Sequence, residues 1–198
     1  MKQIVFATGN KDKLKEIKEI LAEYDVEILS MKEAGINVEI IEDGKTFEDN
    51  SVIKATTIAK YTDAIVLADD SGLEIDYLNK EPGVYSARYM GEDTSYTIKN
   101  NNLIERLNGV PDEKRTARFV CAIAAVLPNK QVKVIRETME GRIGYKPEGE
   151  NGFGYDPIFI PDGCDCTSAA LTREQKNAIS HRGKALRKMK EMLGEVLS

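Results

Sequence analysis

Two adjacent carboxylates follow a short apolar run near the middle of the chain. Asp69 and Asp70 come directly after residues 64–68 and precede Ser71 and Gly72. Such a position, at the carboxyl end of a buried strand, is where open α/β sheets bind ligands. Carboxylates there are costly unless neutralised, and their hard oxygens suit Mg²⁺, which also bridges phosphates. We interpret the pair as a magnesium–phosphate site; the alternative is a polar turn in which an aspartate caps a helix.

A second segment that could bind phosphate lies near the N-terminus. Thr8-Gly9-Asn10 follows an apolar run at residues 3–7 and is followed by Lys11 and Lys13. The backbone N–H groups at the start of a helix form an anion site, and a glycine lets a phosphate approach the backbone. Asn10 is a candidate cap of the helix that follows, and either lysine could add charge. An ordinary strand-to-helix turn with solvated lysines fits the same residues.

Two isolated charged residues could complete these sites. Glu42 lies in an acidic loop and could be a further metal ligand, although such loops are most often solvated. Lys54 lies on or near the apolar face of a helix predicted to begin at Thr46. A lysine in that position usually extends its ammonium group to solvent.

Residues 151–157 mix glycines with aromatic side chains. Phe153 or Tyr155 could place a ring against a planar base, with Asp156 and backbone groups at the edge of that base. The alternative is a tight hairpin loop whose two rings pack on the core.

Cationic residues crowd the predicted start of the last helix, where Lys176, Ser180, His181 and Arg182 follow one another closely. Arginine binds carbonyl and ring-nitrogen acceptors well, and phosphates equally well. Cations at a helix N-terminus oppose the helix dipole. The mismatch favours a ligand role over a merely charged helix start.

The elements that must position these residues follow an α/β pattern. Apolar runs predict strands at 3–7, 64–68, 116–127 and 132–139, and helical spacing predicts helices over about 10–23, from Thr46, over 94–107 and at the C-terminus. The hairpin near 116–139 argues against a purely parallel sheet. We predict an α/β fold with a mixed sheet. No Pro/Ser-rich linker divides the chain, so one domain over 1–198 is expected.

Composition excludes several classes of protein. The 198 residues carry 28 Lys plus Arg against 33 Asp plus Glu, a formal charge of −5, which argues against nucleic acid as the partner but allows a small phosphorylated ligand. No apolar run approaches the length of a membrane span, and we expect no signal peptide and a cytoplasmic protein. Three cysteines and a single histidine disfavour a structural zinc site and a Ser-His-Asp hydrolase.

Taken together, five segments closely resemble one family, the inosine triphosphate pyrophosphatases, also called dITP/XTP or non-canonical purine NTP pyrophosphatases. The segments, in order, are Thr8-Gly9-Asn10-x-x-Lys13, Asp69-Asp70-Ser71-Gly72-Leu73, Pro82-Gly83-Val84-Tyr85-Ser86-Ala87-Arg88, Phe153-Gly154-Tyr155-Asp156-Pro157 and Ser180-His181-Arg182-Gly183. Each is weak alone, but five in the same order along the whole chain are specific. Cys164-Asp165-Cys166 matches no motif, and we interpret it as a loop variation.

The resemblance implies a two-lobed α/β fold, with an elongated mixed sheet flanked by helices and a nucleotide cleft between the lobes. It also implies a homodimer that uses Mg²⁺ and hydrolyses ITP, dITP and XTP to the monophosphate and pyrophosphate. Such an activity removes deaminated purines from the nucleotide pool.

Carried over by position, the resemblance assigns roles to the residues already singled out. Asp70 is the expected proton acceptor, and the metal ligands are Glu42, Asp70 and, close by, Asp69. The phosphates are expected on Thr8, Gly9, Asn10, Lys11, Asp12 and Lys13, helped by Lys54 and Arg88. Ser71 is expected to touch the substrate, and the base pocket is Phe153, Gly154, Tyr155, Asp156, Lys176, His181 and Arg182.

Two other functions use similar residues. A nucleotide-binding sensor without turnover would not need a water-activating carboxylate, so Asp69 and Asp70 argue against it. A related pyrophosphatase for modified pyrimidine or m7G nucleotides is disfavoured by the Phe-Gly-Tyr-Asp and Ser-His-Arg segments.

Overall fold

The structure is a computed structural model that describes residues 2–197, without the side chains of Asp12 and Glu16. The strands are β1 (Lys2–Phe6), β2 (Val26–Ser30), β3 (Ile65–Ile75), β4 (Thr116–Val126), β5 (Val132–Ile143) and β6 (Phe159–Pro161). The helices are α1 (Lys11–Ile20), α2 (Phe47–Ile58), α3 (Tyr96–Arg106), α4 (Arg173–Ile179) and α5 (His181–Leu197). Within residues 2–197, every helix is too short or too polar to cross a lipid bilayer.

The strands form one mixed sheet in the order β2-β1-β3-β4-β5-β6. β1 pairs in parallel with both β2 and β3, whereas β5 and β6 are antiparallel. β4 and β5 are neighbours joined by a short turn in which Leu127 N donates to Gln131 O at 2.9 Å. So short a connection requires an antiparallel pair, because parallel strands need a long crossover. The predicted α/β fold with a mixed sheet flanked by helices is confirmed.

The chain divides into two compact units. Unit 1 consists of Met1–Asp70, Cys121–Glu137 and Lys184–Ser198. Alternate residues of β1 face opposite sides of its sheet: Ile4 and Phe6 pack with α1 and α5, and Val5 and Ala7 pack with α2. Burial on both faces explains why β1 has a continuous apolar run rather than alternation.

Unit 2 consists of Ser71–Val120 and Thr138–Gly183. Its core joins Leu73 and Ile75 of β3 to Leu103 of α3, with Phe119 and Phe159 in tilted ring contact at 4.7 Å. This core supports the loops that carry the predicted base-binding residues.

The structure corrects the interpretation of Asp69-Asp70-Ser71-Gly72. These residues are neither a turn nor the end of a strand, because β3 continues through them to Ile75. The apolar run ends at residue 68 only because the side chains change. Leu73 and Ile75 are again fully buried, so the strand resumes its packing in unit 2. The polar side chains interrupt the apolar pattern of the sequence, but they do not end the strand.

Three further elements differ from the sequence-based prediction. β2 and β6 were not predicted, because each is short and shows no clear alternation. Lys176 does not lie at the start of the last helix but within α4, a separate helix that begins with a capping box formed by Thr172 and Gln175.

Candidate active site

The first turn of unit 1 is the capped start of α1. Asn10 Oδ1 accepts a hydrogen bond from Lys13 N at 3.2 Å, which confirms Asn10 as the cap of α1. Thr8 Oγ1 accepts from Asn10 N at 3.0 Å and shapes the turn. A Cβ at Gly9 would meet no atom within 4 Å, so packing does not demand a glycine here. Lys11 is exposed. The side chain of Asp12, predicted in this group, lies outside the described part of the structure.

Lys13 joins this turn to β3 by an ion pair. Its Nζ lies 2.6 Å from Asp69 Oδ2, and the Asp69 side chain is only 3% exposed. A carboxylate this buried needs a partner, and Lys13, 56 residues away in sequence, is one. The N-terminal turn and the aspartate pair therefore belong to one constellation.

Lys54 lies between two further carboxylates. Its Nζ is 3.1 Å from Glu42 Oε2 and 3.7 Å from Asp70 Oδ1, and its side chain is 14% exposed. Burial alone would lower the pKa of Lys54, but Asp70, Asp69 and Glu42 outweigh it and raise the pKa above its ordinary value. Lys54 therefore stays charged and does not extend to solvent.

The Asp70 carboxylate has one buried oxygen and a raised pKa. Its Oδ2 is buried and has no hydrogen-bond partner among residues 2–197. Burial raises the pKa of Asp70 above its ordinary value, against the lowering effects of Lys54 and of a hydrogen bond with Asn50. The carboxylate is thus held in place on one side while Oδ2 remains available.

Sequence reasoning missed Asn50, which supports this arrangement. Asn50 is 1% exposed and lies one helical turn before Lys54 on α2, so the two side chains share a face. Its Oδ1 accepts from Gly44 N at 2.8 Å, close to Glu42 in the chain. A Cβ at Gly44 would come within 2.6 Å of that oxygen, so this close approach requires glycine. A polar residue on the buried face of a helix is the one signal that could have identified Asn50.

In unit 2, the predicted aromatic loop is organised around Asp156. Asp156 Oδ2 accepts from Phe153 N at 2.9 Å and lies 2.5 Å from Lys176 Nζ. A Cβ at Gly152 would overlap that carboxylate, and the φ of +73° at Gly152 also favours glycine. The loop is therefore fixed by a buried, neutralised aspartate. Lys176, though on α4, does join the predicted group.

Phe153 is the exposed ring of this loop. It is 56% exposed, with Lys176 Nζ 4.9 Å and the Arg182 guanidinium 5.9 Å from its centroid. Arg182 also approaches Ser71, with Nη2 3.4 Å from Oγ. Two cations beside an exposed ring form a surface suited to a planar base with carbonyl acceptors.

The other two rings of the predicted pocket are buried. Tyr155 is 4% exposed and its hydroxyl donates to Ser86 O at 2.5 Å. His181 stacks on Phe119, with ring centroids 5.0 Å apart. Burial raises the pKa of Tyr155, so its hydroxyl remains a donor. Of the two predicted loop aromatics, Phe153 is exposed and Tyr155 packs on the core, which combines both interpretations of this loop.

Arg88 is exposed on the segment that follows Ser86. Its guanidinium lies 5.4 Å from the centroid of the Tyr85 ring. Unit 1 thus brings Lys13 together with Asp69, and Lys54 together with Glu42 and Asp70. Unit 2 brings Phe153 together with Asp156, Lys176 and Arg182, and Arg182 approaches Ser71. Tyr155 instead contacts Ser86, two residues before Arg88, and His181 packs on Phe119.

Known proteins were compared with the chain as a whole. The model of the Ham1 family matches residues 4–192. A dITP/XTP pyrophosphatase of Clostridium perfringens is 48% identical over 203 residues, covering 100% of both chains, and one of Bacillus subtilis is 47% identical over 193 residues, covering 98% of each. The solved structure of a HAM1 protein from Coxiella burnetii matches with a TM-score of 0.92 at 40% identity, over 98% of this chain and 100% of that one.

Proposed function

The chain belongs to the Ham1 family, and from that premise we propose that it hydrolyses the non-canonical purine nucleoside triphosphates ITP, dITP and XTP to monophosphate and pyrophosphate. The resemblance drawn from the five sequence motifs is confirmed. Relatives named dITP/XTP pyrophosphatase match over the full length of the chain, which supports this substrate class.

The observation that carries a hydrolytic function is the state of Asp70. A buried carboxylate oxygen without a hydrogen-bond partner among the described residues, on a group whose pKa is raised by burial, is suited to accept a proton. General bases work best when their pKa lies closer to the operating pH.

In the proposed reaction, Asp70 Oδ2 takes a proton from a water molecule as the water oxygen attacks the α-phosphorus. The bond from the α-phosphorus to the bridging oxygen breaks, and pyrophosphate leaves with that oxygen. The ammonium groups of Lys13 and Lys54 stabilise the charge on the phosphate oxygens beside the turn at Gly9. Arg88 contributes a further cation.

The donor set fits Mg²⁺. Among the described side chains, which leave out Asp12 and Glu16, no group of three or more His, Cys, Asp or Glu is arranged to hold a metal. Mg²⁺ does not require one, because it usually binds one or two carboxylates together with substrate phosphates. Glu42 and Asp70 would supply those carboxylates, and Asp69, paired with Lys13, is the nearest third. When bound, the ion would neutralise the triphosphate and orient the attacking water.

Base selection is assigned to unit 2. A 6-oxo purine presents an acceptor where ATP presents an amino donor. Arg182, beside Phe153, would donate to the 6-oxo group, while the ring of Phe153 stacks on the base. With ATP the same donors would face an N–H₂ group and remain unpaired, which costs about 1–3 kcal/mol. The proposal is therefore that charged hydrogen-bond donors recognise the edge of the base.

A homodimer in the cytoplasm completes the proposal. Unit 2 exposes Tyr77, Tyr85, Met90 and Ile98, apolar side chains available to a second copy. Light scattering during size-exclusion chromatography would measure the mass directly, and a mass near one chain would refute the dimer.

One experiment tests the central proposal. The protein is incubated with Mg²⁺ in ¹⁸O-water with ITP, XTP, dITP, ATP and GTP. We expect pyrophosphate from the first three, with ¹⁸O in the monophosphate. Orthophosphate as the product, or label in pyrophosphate, would mean attack at a different phosphorus and contradict the mechanism.

A further inference from the structure

One face of α3 carries polar side chains where a core-facing helix normally carries apolar ones. Tyr96, Lys99, Asn100 and Leu103 follow the i, i+3, i+4, i+7 spacing of a buried stripe. Leu103 is in the core of unit 2, but Lys99 is 1% exposed and Asn100 is 3% exposed. A buried ammonium group and a buried amide are costly unless their contacts compensate, so those contacts indicate what the two side chains do.

Lys99 contacts the segment that carries Arg88. Its Nζ donates to Ala87 O at 2.8 Å and lies 4.8 Å from the centroid of the Tyr96 ring. Among the carboxylates that the structure describes, none forms an ion pair with Lys99. The ammonium group is therefore buried against one backbone carbonyl, that of the residue immediately before Arg88.

Asn100 contacts the loop formed by residues 153–156. Its Nδ2 donates to Gly154 O at 3.0 Å, while its buried Oδ1 has no hydrogen-bond partner among the described residues. A leucine of similar size would bury no unsatisfied oxygen. Asn100 is thus a poorer choice than leucine for packing, and its one hydrogen bond is made to the loop that carries Phe153.

The same two segments are also joined to each other. The Tyr155 hydroxyl donates to Ser86 O, and Ser86 Oγ accepts from Leu73 N of β3 at 2.9 Å. Tyr96 packs edge-on against Tyr155, with centroids 5.2 Å apart. The loop and the Arg88 segment therefore have two neighbouring backbone carbonyls held by consecutive residues of one helix.

We propose that Lys99 and Asn100 are positioning residues: Lys99 orients the Arg88 segment toward the triphosphate, and Asn100 orients the 153–156 loop toward the base. This inference rests on the proposed function, because it divides the two residues between the two ends of the nucleotide. Neither side chain needs to touch the substrate.

The variants Asn100→Leu, Lys99→Met and Lys99→Arg test the proposal, with exposed Asn101→Leu as the matched control. We expect Asn100→Leu to melt at or above the wild-type temperature, yet to reduce the ITP-to-ATP ratio of kcat/KM about tenfold, the effect of one lost hydrogen bond. Lys99→Met should raise KM for ITP and ATP by equal factors, with the ratio unchanged. Lys99→Arg should restore much of the loss, because it keeps a donor.

A double-mutant cycle separates positioning from general damage. If Lys99 acts through Arg88, Lys99→Met should add less than about twofold to the effect of Arg88→Ala, since coupled residues are not additive. Fully additive losses would overturn that role. An unchanged ITP-to-ATP ratio in folded Asn100→Leu would overturn the role of Asn100.

Hydrogen exchange gives a readout that does not depend on activity. Amides of 153–156 should exchange faster in Asn100→Leu, and those of 86–88 faster in Lys99→Met, with no change in Asn101→Leu. Unchanged exchange in the first two variants would refute the inference even if the enzyme is active. If the wild type releases no pyrophosphate from any nucleotide, but the two variants still show these exchange changes, the proposed function and the division of roles are refuted. The contacts of Lys99 and Asn100 with the two segments would remain established.

Discussion

The two units hold their functional side chains in different ways. In unit 1 the charged residues pair with each other, Lys13 with Asp69 and Lys54 with Glu42 and Asp70. In unit 2 the loop that carries Phe153 contains one buried ion pair, Asp156 with Lys176, and is otherwise held by hydrogen bonds to backbone groups from Asp156, Asn100 and Tyr155.

The difference follows from what each region is proposed to bind. The charges of unit 1 are largely buried and need a counter-charge, which phosphate or Mg²⁺ can supply in exchange for the present partners. Recognition of a base edge requires donors at fixed positions, and backbone contacts fix them. Unit 1 should therefore control the rate for every substrate, and unit 2 the choice among substrates.

The largest effect is expected at Asp70. Asp70→Asn removes the proposed proton acceptor, and kcat should decrease by about 10²–10⁴-fold for ITP, XTP and ATP alike. Steady-state kinetics would measure this, with circular dichroism to verify folding. Asp69→Asn is the matched control and should lose less. A variant Asp70→Asn that keeps more than about a tenth of the wild-type kcat would assign the base to another group.

Removal of the metal should affect unit 1 alone. Activity should be lost in excess chelator and return with Mg²⁺. Glu42→Gln should raise the Mg²⁺ concentration for half-maximal rate by about tenfold, within the range for a lost metal-site contact, without abolishing turnover. Asp43→Asn, next in the chain, serves as the control. An identical Mg²⁺ titration for Glu42→Gln and wild type would exclude Glu42 from the metal site.

Arg182→Ala should change selectivity more than rate. Because one mismatched buried donor costs about 1–3 kcal/mol, the ITP-to-ATP ratio of kcat/KM should decrease by about 5–150-fold. GTP shares the 6-oxo group with ITP, so it should remain a poor substrate in this variant. If the ratio is unchanged, Arg182 binds phosphate or only stabilises the start of α5, and the division between the units weakens.

The smallest effect is expected where ion pairs serve stability alone. Arg118 bonds Asp76, Glu74 and Glu140 across neighbouring strands of unit 2. The hydrogen bond with Arg118 is the main cause that holds the pKa of Asp76 below its usual range. Asp76→Asn should reduce the free energy of unfolding at pH 7 by about 1 kcal/mol, the upper end for such pairs, and leave kcat unchanged.

The difference in the free energy of unfolding between wild type and Asp76→Asn depends on pH, and the sign of that dependence follows from the lowered pKa. Asp76 has a lowered pKa in the folded state, so its stabilisation is complete above the ordinary value of 3.8 and is lost as the pH falls below it. Urea unfolding of wild type and Asp76→Asn should therefore differ equally at pH 7 and pH 5 and converge below pH 3.8. Glu81→Gln, which removes one exposed pair with Arg106, should show a smaller difference. A constant gap down to pH 3 would contradict the assignment.

The amino-acid sequence by itself determined the family and named the residues of the candidate site. Five short motifs in order were sufficient, because each consists of a few adjacent residues whose types are restricted by the chemistry proposed for them. Asn10 as a helix cap was equally local, since it depends on a hydrogen bond to Lys13 N, three residues away. The apolar run at residues 3–7 is also contiguous, although the strand that it forms is completed by pairing with β2 and β3.

Only the tertiary structure decided which of these residues act together. The Lys13–Asp69 and Lys54–Asp70 pairs join residues far apart in sequence, and no periodicity encodes such distances. The same holds for Lys99 and Asn100, two polar residues of α3 whose burial the sequence pattern does not indicate. A buried polar residue is stable only with a particular partner, and that partner is defined by packing in three dimensions rather than by neighbours along the chain.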